Sequence, residues 1–301
     1  MSVIIPPYLK PGDTIAITCP AGYMPAENTE ACIEMLRQQG YTVITGKTLG
    51  SSSGNYFSGT DDERLQELQA FLDDKNINAI LCGRGGYGTG RIIDRIDFKK
   101  FVERPKWIIG FSDITVLHSH IYSNFKIAGL HAPMSSAFKN GNNEFTESLL
   151  AALRGEKAIY QSAPGKNRPG HAKGRLAGGN LALLAHLCGT PSDIKTKSCI
   201  LFLEDIGEYL YNIDRMLYQL KRSGKLKNLS GLVVGGFSDM KDTERPFGKN
   251  IHQIITELTE EYDYPICFNF PVSHEKENMA LKIGVKYKLE VNEETASLIE
   301  S

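Results

Sequence analysis

A serine hydroxyl attacks a carbonyl only when a neighbouring base takes its proton, so a serine placed for such help is the first thing to look for. Ser112 lies in Lys106-Trp-Ile-Ile-Gly-Phe-Ser-Asp-Ile-Thr-Val-Leu-His118, a short apolar run followed by a turn and a helical pattern. A serine on a sharp strand-to-helix turn is how α/β enzymes expose a nucleophilic oxygen. The turn departs from G-x-S-x-G, because Ile114 stands where the second glycine would be. A plain helix N-cap is the competing reading of Ser112.

Three further segments could complete such chemistry. Cys82-Gly-Arg-Gly-Gly-Tyr-Gly-Thr-Gly90 follows an apolar strand. Its glycines permit positive φ and close approach of backbone N–H groups to a ligand. An oxyanion site beside Ser112, a phosphate cradle and a plain turn are all open here. The phosphate reading lacks the G-x-G-x-x-G spacing and the G-K-[ST] of a Walker loop. Glu204 closes the apolar run Cys199-Ile-Leu-Phe-Leu203, where an active-site rim, a helix N-cap or a solvated acid are all open. His274 sits in the loop-like Asn269-Phe-Pro-Val-Ser-His-Glu-Lys-Glu-Asn278. It is the best candidate base, since loops on a rigid scaffold often carry function. His118, His120 and His186 fall on helical patterns as packing or capping residues. His171 and His252 read as surface positions, and His131 ends a strand and could line the site.

These residues need strands and helices to aim them. Thr14–Thr18, Tyr41–Ile44, Ile77–Cys82 and Trp107–Ile109 read as strands. Helical patterns run from Asn28 to Gln39 and after Thr60-Asp-Asp-Glu63, a capping box whose helix carries Leu65, Leu68 and Leu72 on one face. Strands alternating with amphipathic helices imply a parallel sheet covered on both faces. The turn-rich Lys139–Asn143 and the Pro/Gly/Asn content of Ser162–Gly170 mark a boundary. The expected division is 1–150, carrying the serine, a linker at 151–171, and 172–301, carrying Glu204 and His274. The second part restarts with Gly174–Asn180 and a helix through His186. It continues with a strand to Glu204, a helix at Ile213–Arg222, a strand at Leu232–Val234, a helix at Asn250–Glu260 and strands over Lys282–Val291. The fold class is α/β: an N-terminal doubly wound parallel-sheet domain and a C-terminal α/β domain.

Composition excludes several classes. The 301 residues carry a formal net charge of -1, which offers no basic field for nucleic acid or an anionic membrane. No apolar run approaches the roughly 20 residues of a membrane span, and the start Met1-Ser-Val-Ile-Ile-Pro-Pro has no signal-peptide pattern. A cytoplasmic protein is expected. The six cysteines are scattered, without a C-x-x-C pair, and read as buried reduced thiols. No metal site or cofactor is expected.

Taken together, the segments resemble the L,D-carboxypeptidase family of serine peptidases, which acts on murein tetrapeptides and includes the microcin C self-immunity proteins. The resemblance spans nearly the whole chain. It rests on Leu9–Ile17, Arg84-Gly-Gly-Tyr-Gly88, Ile109-Gly-Phe-Ser-Asp-Ile-Thr115, His131-Ala-Pro-Met134, Gly178-Gly-Asn-Leu181, Leu203-Glu-Asp-Ile-Gly-Glu208, Ile213-Asp-Arg-Met-Leu217 and Phe270-Pro-Val-Ser-His274. It implies a Ser112–His274–Glu204 triad and an oxyanion hole from the backbone N–H groups of Gly86 and Asp113, with Gly85 the alternative to Gly86. Arg84, Gly85 and Tyr87 are the candidate substrate-binding residues; Arg84 or Arg175 could meet the terminal carboxylate. Two positions depart from the family pattern: Ser273 replaces the usual glycine and Lys282 a frequent proline.

What the resemblance implies is release of terminal D-Ala from a murein tetrapeptide in cell-wall recycling, by an acyl-enzyme, in a homodimer. The runner-up is an immunity-type amidase that cleaves a peptidyl or aminoacyl adenylate analogue. Residues 162–173 offer no aromatic platform for an adenine, which speaks against it.

Overall fold

A computed structural model describes residues 2–52, 54–141 and 143–301. Asn142 of the turn-rich Lys139–Asn143 stretch lies outside the described residues. The strands are β1 (Thr14–Thr18), β2 (Thr42–Thr45), β3 (Ala79–Cys82), β4 (Trp107–Gly110), β5 (Gly129–His131), β6 (Ile159–Gln161), β7 (Gly170–Asn180), β8 (Cys199–Ile206), β9 (Gly231–Ser238), β10 (Ile266–Cys267), β11 (Leu281–Ile283), β12 (Lys286–Val291) and β13 (Ala296–Glu300). The helices are α1 (Glu30–Gln38), α2 (Asp61–Asp73), α3 (Thr89–Ile92), α4 (Lys99–Glu103), α5 (Thr115–Phe125), α6 (Glu144–Arg154), α7 (Leu181–His186), α8 (Leu210–Arg222) and α9 (Ile251–Leu258). The chain divides into two compact units. One comprises Met1–Glu156 with Met279–Lys282, the other Lys157–Asn278 with Ile283–Ser301.

The first unit holds a six-stranded sheet in the order β11-β5-β4-β3-β1-β2. β1 through β5 pair in parallel. β3 and β4 are buried at every position, as strands covered on both faces must be. The order 2-1-3-4-5 places a topological switch point between β1 and β3, and ligands of such sheets bind outside the carboxyl ends of the strands. The turns after β1, β3 and β4 are Cys19–Gly22, Gly83–Gly88 and Phe111–Asp113. The Thr60 capping box forms: Thr60 N–H donates to Glu63 Oε2 at 2.7 Å, and Glu63 N–H to Thr60 Oγ1 at 3.2 Å. The face that α2 buries is Arg64, Leu68 and Leu72, spaced by four; Leu65, expected on it, is half-buried.

The second unit holds a seven-stranded mixed sheet, β10-β9-β8-β7-β12-β13-β6. β7 to β10 run parallel, while β12, β13 and β6 add antiparallel. β12 alternates exposed and buried residues, because one face of that half meets water. The segment 151–171, expected as a linker, contains the last turn of α6 and strand β6. Its irregular part is tied down: Gly165 N–H donates to Glu294 O at 2.7 Å and Arg168 N–H to Ile266 O at 3.0 Å. Pro and Gly there record irregular dihedrals, not an absence of partners. Residues 279–282 return to the first unit. There Lys282 Nζ donates to Glu156 O at 3.0 Å and lies 4.9 Å from the Tyr8 ring centroid.

Candidate active site

Ser112 leaves β4 with φ +60°, in the left-handed region that non-glycine residues seldom adopt. Such a conformation costs on the order of 1–3 kcal/mol and persists only where surrounding structure enforces it. Ser112 opens a 3₁₀ turn, Ser112–Ile114, that runs into α5. No side-chain capping bond is made at either start, which removes the support for the N-cap reading. Ile114, standing where the second glycine would be, packs against Gly110. A Cβ at Gly110, where φ is +156°, would sit 2.9 Å from Ile114 Cγ1. The elbow is thus shaped by glycine before the serine and by apolar packing after it.

The Gly-rich turn lies against this serine. A Cβ at Gly85 would fall 2.9 Å from Ser112 Cβ and 3.1 Å from its Oγ. Gly22 N–H donates to Gly85 O at 3.0 Å, joining the turns after β1 and β3. Gly86 has φ +93°. Asp113, almost wholly buried, accepts the Thr89 N–H on Oδ2 at 2.8 Å, so its carboxylate caps the start of α3. Arg84 Nη1 donates to Tyr23 O at 2.7 Å. Tyr87 is half exposed, its ring 5.8 Å from that of Phe57. Arg175, the other candidate for a carboxylate, donates from Nη1 to Gly284 O at 3.0 Å.

In the second unit, Glu204 is not at a strand end. β8 continues to Ile206, with a register shift between Leu203 and Asp205, and Glu204 is fully buried. Burial excludes the solvated reading, and a strand that continues past Glu204 excludes the helix cap. His274 Nδ1–H donates to Glu204 Oε2 at 2.6 Å. The other Glu204 oxygen is buried and has no hydrogen-bond partner among the described residues. Burial pulls the His274 pKa down, but the Glu204 hydrogen bond and the charges of Glu204 and Asp205 outweigh it and hold the pKa above the ordinary value. The Nδ1–H bond selects the tautomer whose Nε2 carries the lone pair.

Ser273 supports the loop of His274. Its Oγ donates to Glu277 O at 2.9 Å and accepts the Glu275 N–H at 3.0 Å. A Cβ at Gly236 would lie 2.4 Å from Ser273 Cβ, so Gly236 makes the room that Ser273 uses. Asp205 accepts from Asn180 Nδ2 at 2.8 Å and Ala182 N–H at 2.9 Å, anchoring α7. Burial raises its pKa to about 6, opposed by those hydrogen bonds.

The remaining histidines divide by environment. His118 is buried with its ring bonded to Ile108 O at 3.0 Å, and burial lowers its pKa to about 4. His131 is fully buried, 5.8 Å from the Phe111 ring. His252, expected at the surface, is half-buried, its ring tilted against Phe268 at 4.3 Å, and bonds Lys166 O at 2.8 Å. Among the described residues, no three His, Cys, Asp or Glu side chains group as metal ligands.

Comparison with known proteins adds the family. A model of the LD-carboxypeptidase N-terminal domain matches residues 15–132, and one of the LD-carboxypeptidase C-terminal domain matches 173–289. The chain belongs to the LD-carboxypeptidase family. It is a serine peptidase of mixed α/β architecture, with the two domains of that family. It is 34% identical to a probable murein peptide carboxypeptidase of Bacillus subtilis, over 97% of this chain and 93% of that one. A microcin C7 self-immunity protein of Escherichia coli is 24% identical over 97% and 94%. The crystal structure of a muramoyltetrapeptide carboxypeptidase from Oxalobacter formigenes superposes with a TM-score of 0.87 at 27% identity, over 96% of this chain and 99% of that one. No helix among the described residues is long and apolar enough to cross a membrane.

Proposed function

We propose that this family member is a serine-type L,D-carboxypeptidase that releases terminal D-Ala from murein tetrapeptide during cytoplasmic cell-wall recycling. The observation that carries the reading is the 2.6 Å bond between His274 and buried Glu204. It gives the chain a base with a fixed tautomer and a raised proton affinity, which a serine nucleophile requires. Two murein or muramoyl-peptide carboxypeptidases among its relatives support the substrate class.

Ser112 Oγ attacks the carbonyl of the diaminopimelate–D-Ala bond while His274 Nε2 accepts its proton. Glu204 orients the imidazole and stabilises the imidazolium without itself taking the proton. The Gly86 and Asp113 N–H groups donate to the developing oxyanion, worth roughly 3–4 kcal/mol per donor. His274 returns the proton to the leaving nitrogen, D-Ala departs, and an ester links the tripeptide to Ser112. Water, deprotonated by His274, then hydrolyses the ester and restores the serine. Arg84, Gly85 and Tyr87 are assigned to substrate contact in this scheme.

The test is incubation with murein tetrapeptide and mass spectrometry for tripeptide and free D-Ala. Native protein yields both, and Ser112→Ala yields neither. Turnover surviving in Ser112→Ala removes the nucleophile. Folded native protein that makes no tripeptide but cleaves an aminoacyl adenylate analogue moves the assignment to the amidase.

A further inference from the structure

Arg64 is fully buried, although a guanidinium is among the most costly groups to remove from water. It rides on α2, and nothing in its sequence setting separates it from the surface arginines of a capped helix. Its hydrogen bonds go to backbone carbonyls of two turns. Nη1 donates to Pro20 O at 2.5 Å and to Gly88 O at 3.1 Å. Pro20 belongs to the turn leaving β1, and Gly88 closes the turn leaving β3. Those turns flank the switch point of the first sheet, and the Gly22–Gly85 bond joins them.

The charge is held in place from the other side. Nη2 pairs with Asp61, which also binds Arg91 through Nε at 2.9 Å and Nη2 at 2.8 Å. Cζ of Arg64 lies 4.9 Å from the Phe57 ring centroid. At Gly88, where φ is +147°, a Cβ would come 2.8 Å from Arg64 Nη1, so glycine leaves the guanidinium its space. The mechanical chain runs from α2 through the guanidinium to Gly88 and Pro20. From there it reaches Gly85 and Gly86, and Gly85 lies against Ser112.

We propose that Arg64 is a positioning residue of the acyl-transfer site: its two carbonyl bonds hold the Gly85–Gly86 backbone against Ser112 in the geometry that stabilises the oxyanion. This rests on the reading of Ser112 as nucleophile and Gly86 as donor. The planar guanidinium sets Nη1 on both carbonyls while Nη2 pairs with Asp61, and a lysine ammonium has no second nitrogen held at that fixed angle. A shift on the order of 1 Å at such a loop costs about 100-fold in rate.

The experiment compares native protein with Arg64→Lys and Arg64→Ala. It measures kcat and KM on murein tetrapeptide, the rate at which a fluorophosphonate labels Ser112, and folded fraction by near-ultraviolet circular dichroism. Arg64→Lys is expected to fold, keep its KM, lose about 100-fold in kcat and label Ser112 correspondingly slowly. The pH of its acid limb, set by His274, stays at the native value. Millimolar guanidinium restores part of the rate to Arg64→Ala. If Arg64→Ala does not fold, Arg64→Lys decides alone. Native kcat and labelling in folded Arg64→Lys, or losses that only track folded fraction, overturn the role of Arg64. Failure of native protein to label at Ser112 overturns the nucleophile reading itself, and the brace with it.

Discussion

At the scale of single residues, the decisive contact is an imidazole against a buried carboxylate. In the proposed mechanism His274 is a base only while neutral, and its pKa is raised by Glu204 and Asp205 against the pull of burial. The sign follows: kcat/KM rises with pH through the His274 pKa, and that limb lies above the ordinary 6.5. Glu204→Gln removes the negative charge, so the limb moves to lower pH while kcat falls by about 10³–10⁴. A pH–rate profile of both proteins checks this; an unmoved limb sinks the pairing of base and acid. Both residues were legible as types in suggestive places. Their pairing came only from the order of family motifs, because 70 residues separate them and no local pattern encodes distance. Arg64 was invisible for the converse reason. Its neighbours predict a surface, and only the approach of two other turns makes that position interior.

At the scale of elements, local chemistry governs much of the first unit. The Thr60 capping box, the β4-to-α5 elbow and the alternation of strands and helices in residues 14–131 follow from side-chain type and period. Tertiary pairing takes over where it extends or recruits backbone. β8 and β9 both run beyond their apolar cores, because Glu204 pairs with Asn180 of β7, and Asp205 and Ile206 pair with Phe237 and Ser238. The departure at Ser273 now has a physical counterpart at Gly236. Gly236→Ala would drive a methyl group into Ser273 Cβ, displacing the His274 loop and costing typically 1–3 kcal/mol. Ser273→Gly in the same chain removes the obstruction. The double variant is therefore expected to be more stable and more active than Gly236→Ala alone. Strict additivity in a double-mutant cycle, by urea melts and kcat, would remove this coupling.

At the scale of the whole molecule, the first unit is not a continuous stretch of chain. Leu281 and Lys282, both buried, belong to it, and β11 stands next to β5 at the edge of its sheet. A fragment ending at Glu156 therefore leaves β5 as an open edge and the Glu156 carbonyl without Lys282. Fusing residues 279–283 to its end through a flexible linker is expected to raise its unfolding free energy by about 2–3 kcal/mol, the worth of burying a leucine side chain. Equal urea midpoints for the two fragments would contradict that. Residue type, short-range period and motif order are enough to specify the α/β class, the elbow at Ser112, the glycine turn after β3 and the family. Tertiary packing alone sets the full burial of Glu204 within β8, the left-handed turn at Ser112 and the buried arginine that ties two turns together. Those facts rest on distances between residues far apart in the chain, which packing sets and local sequence does not.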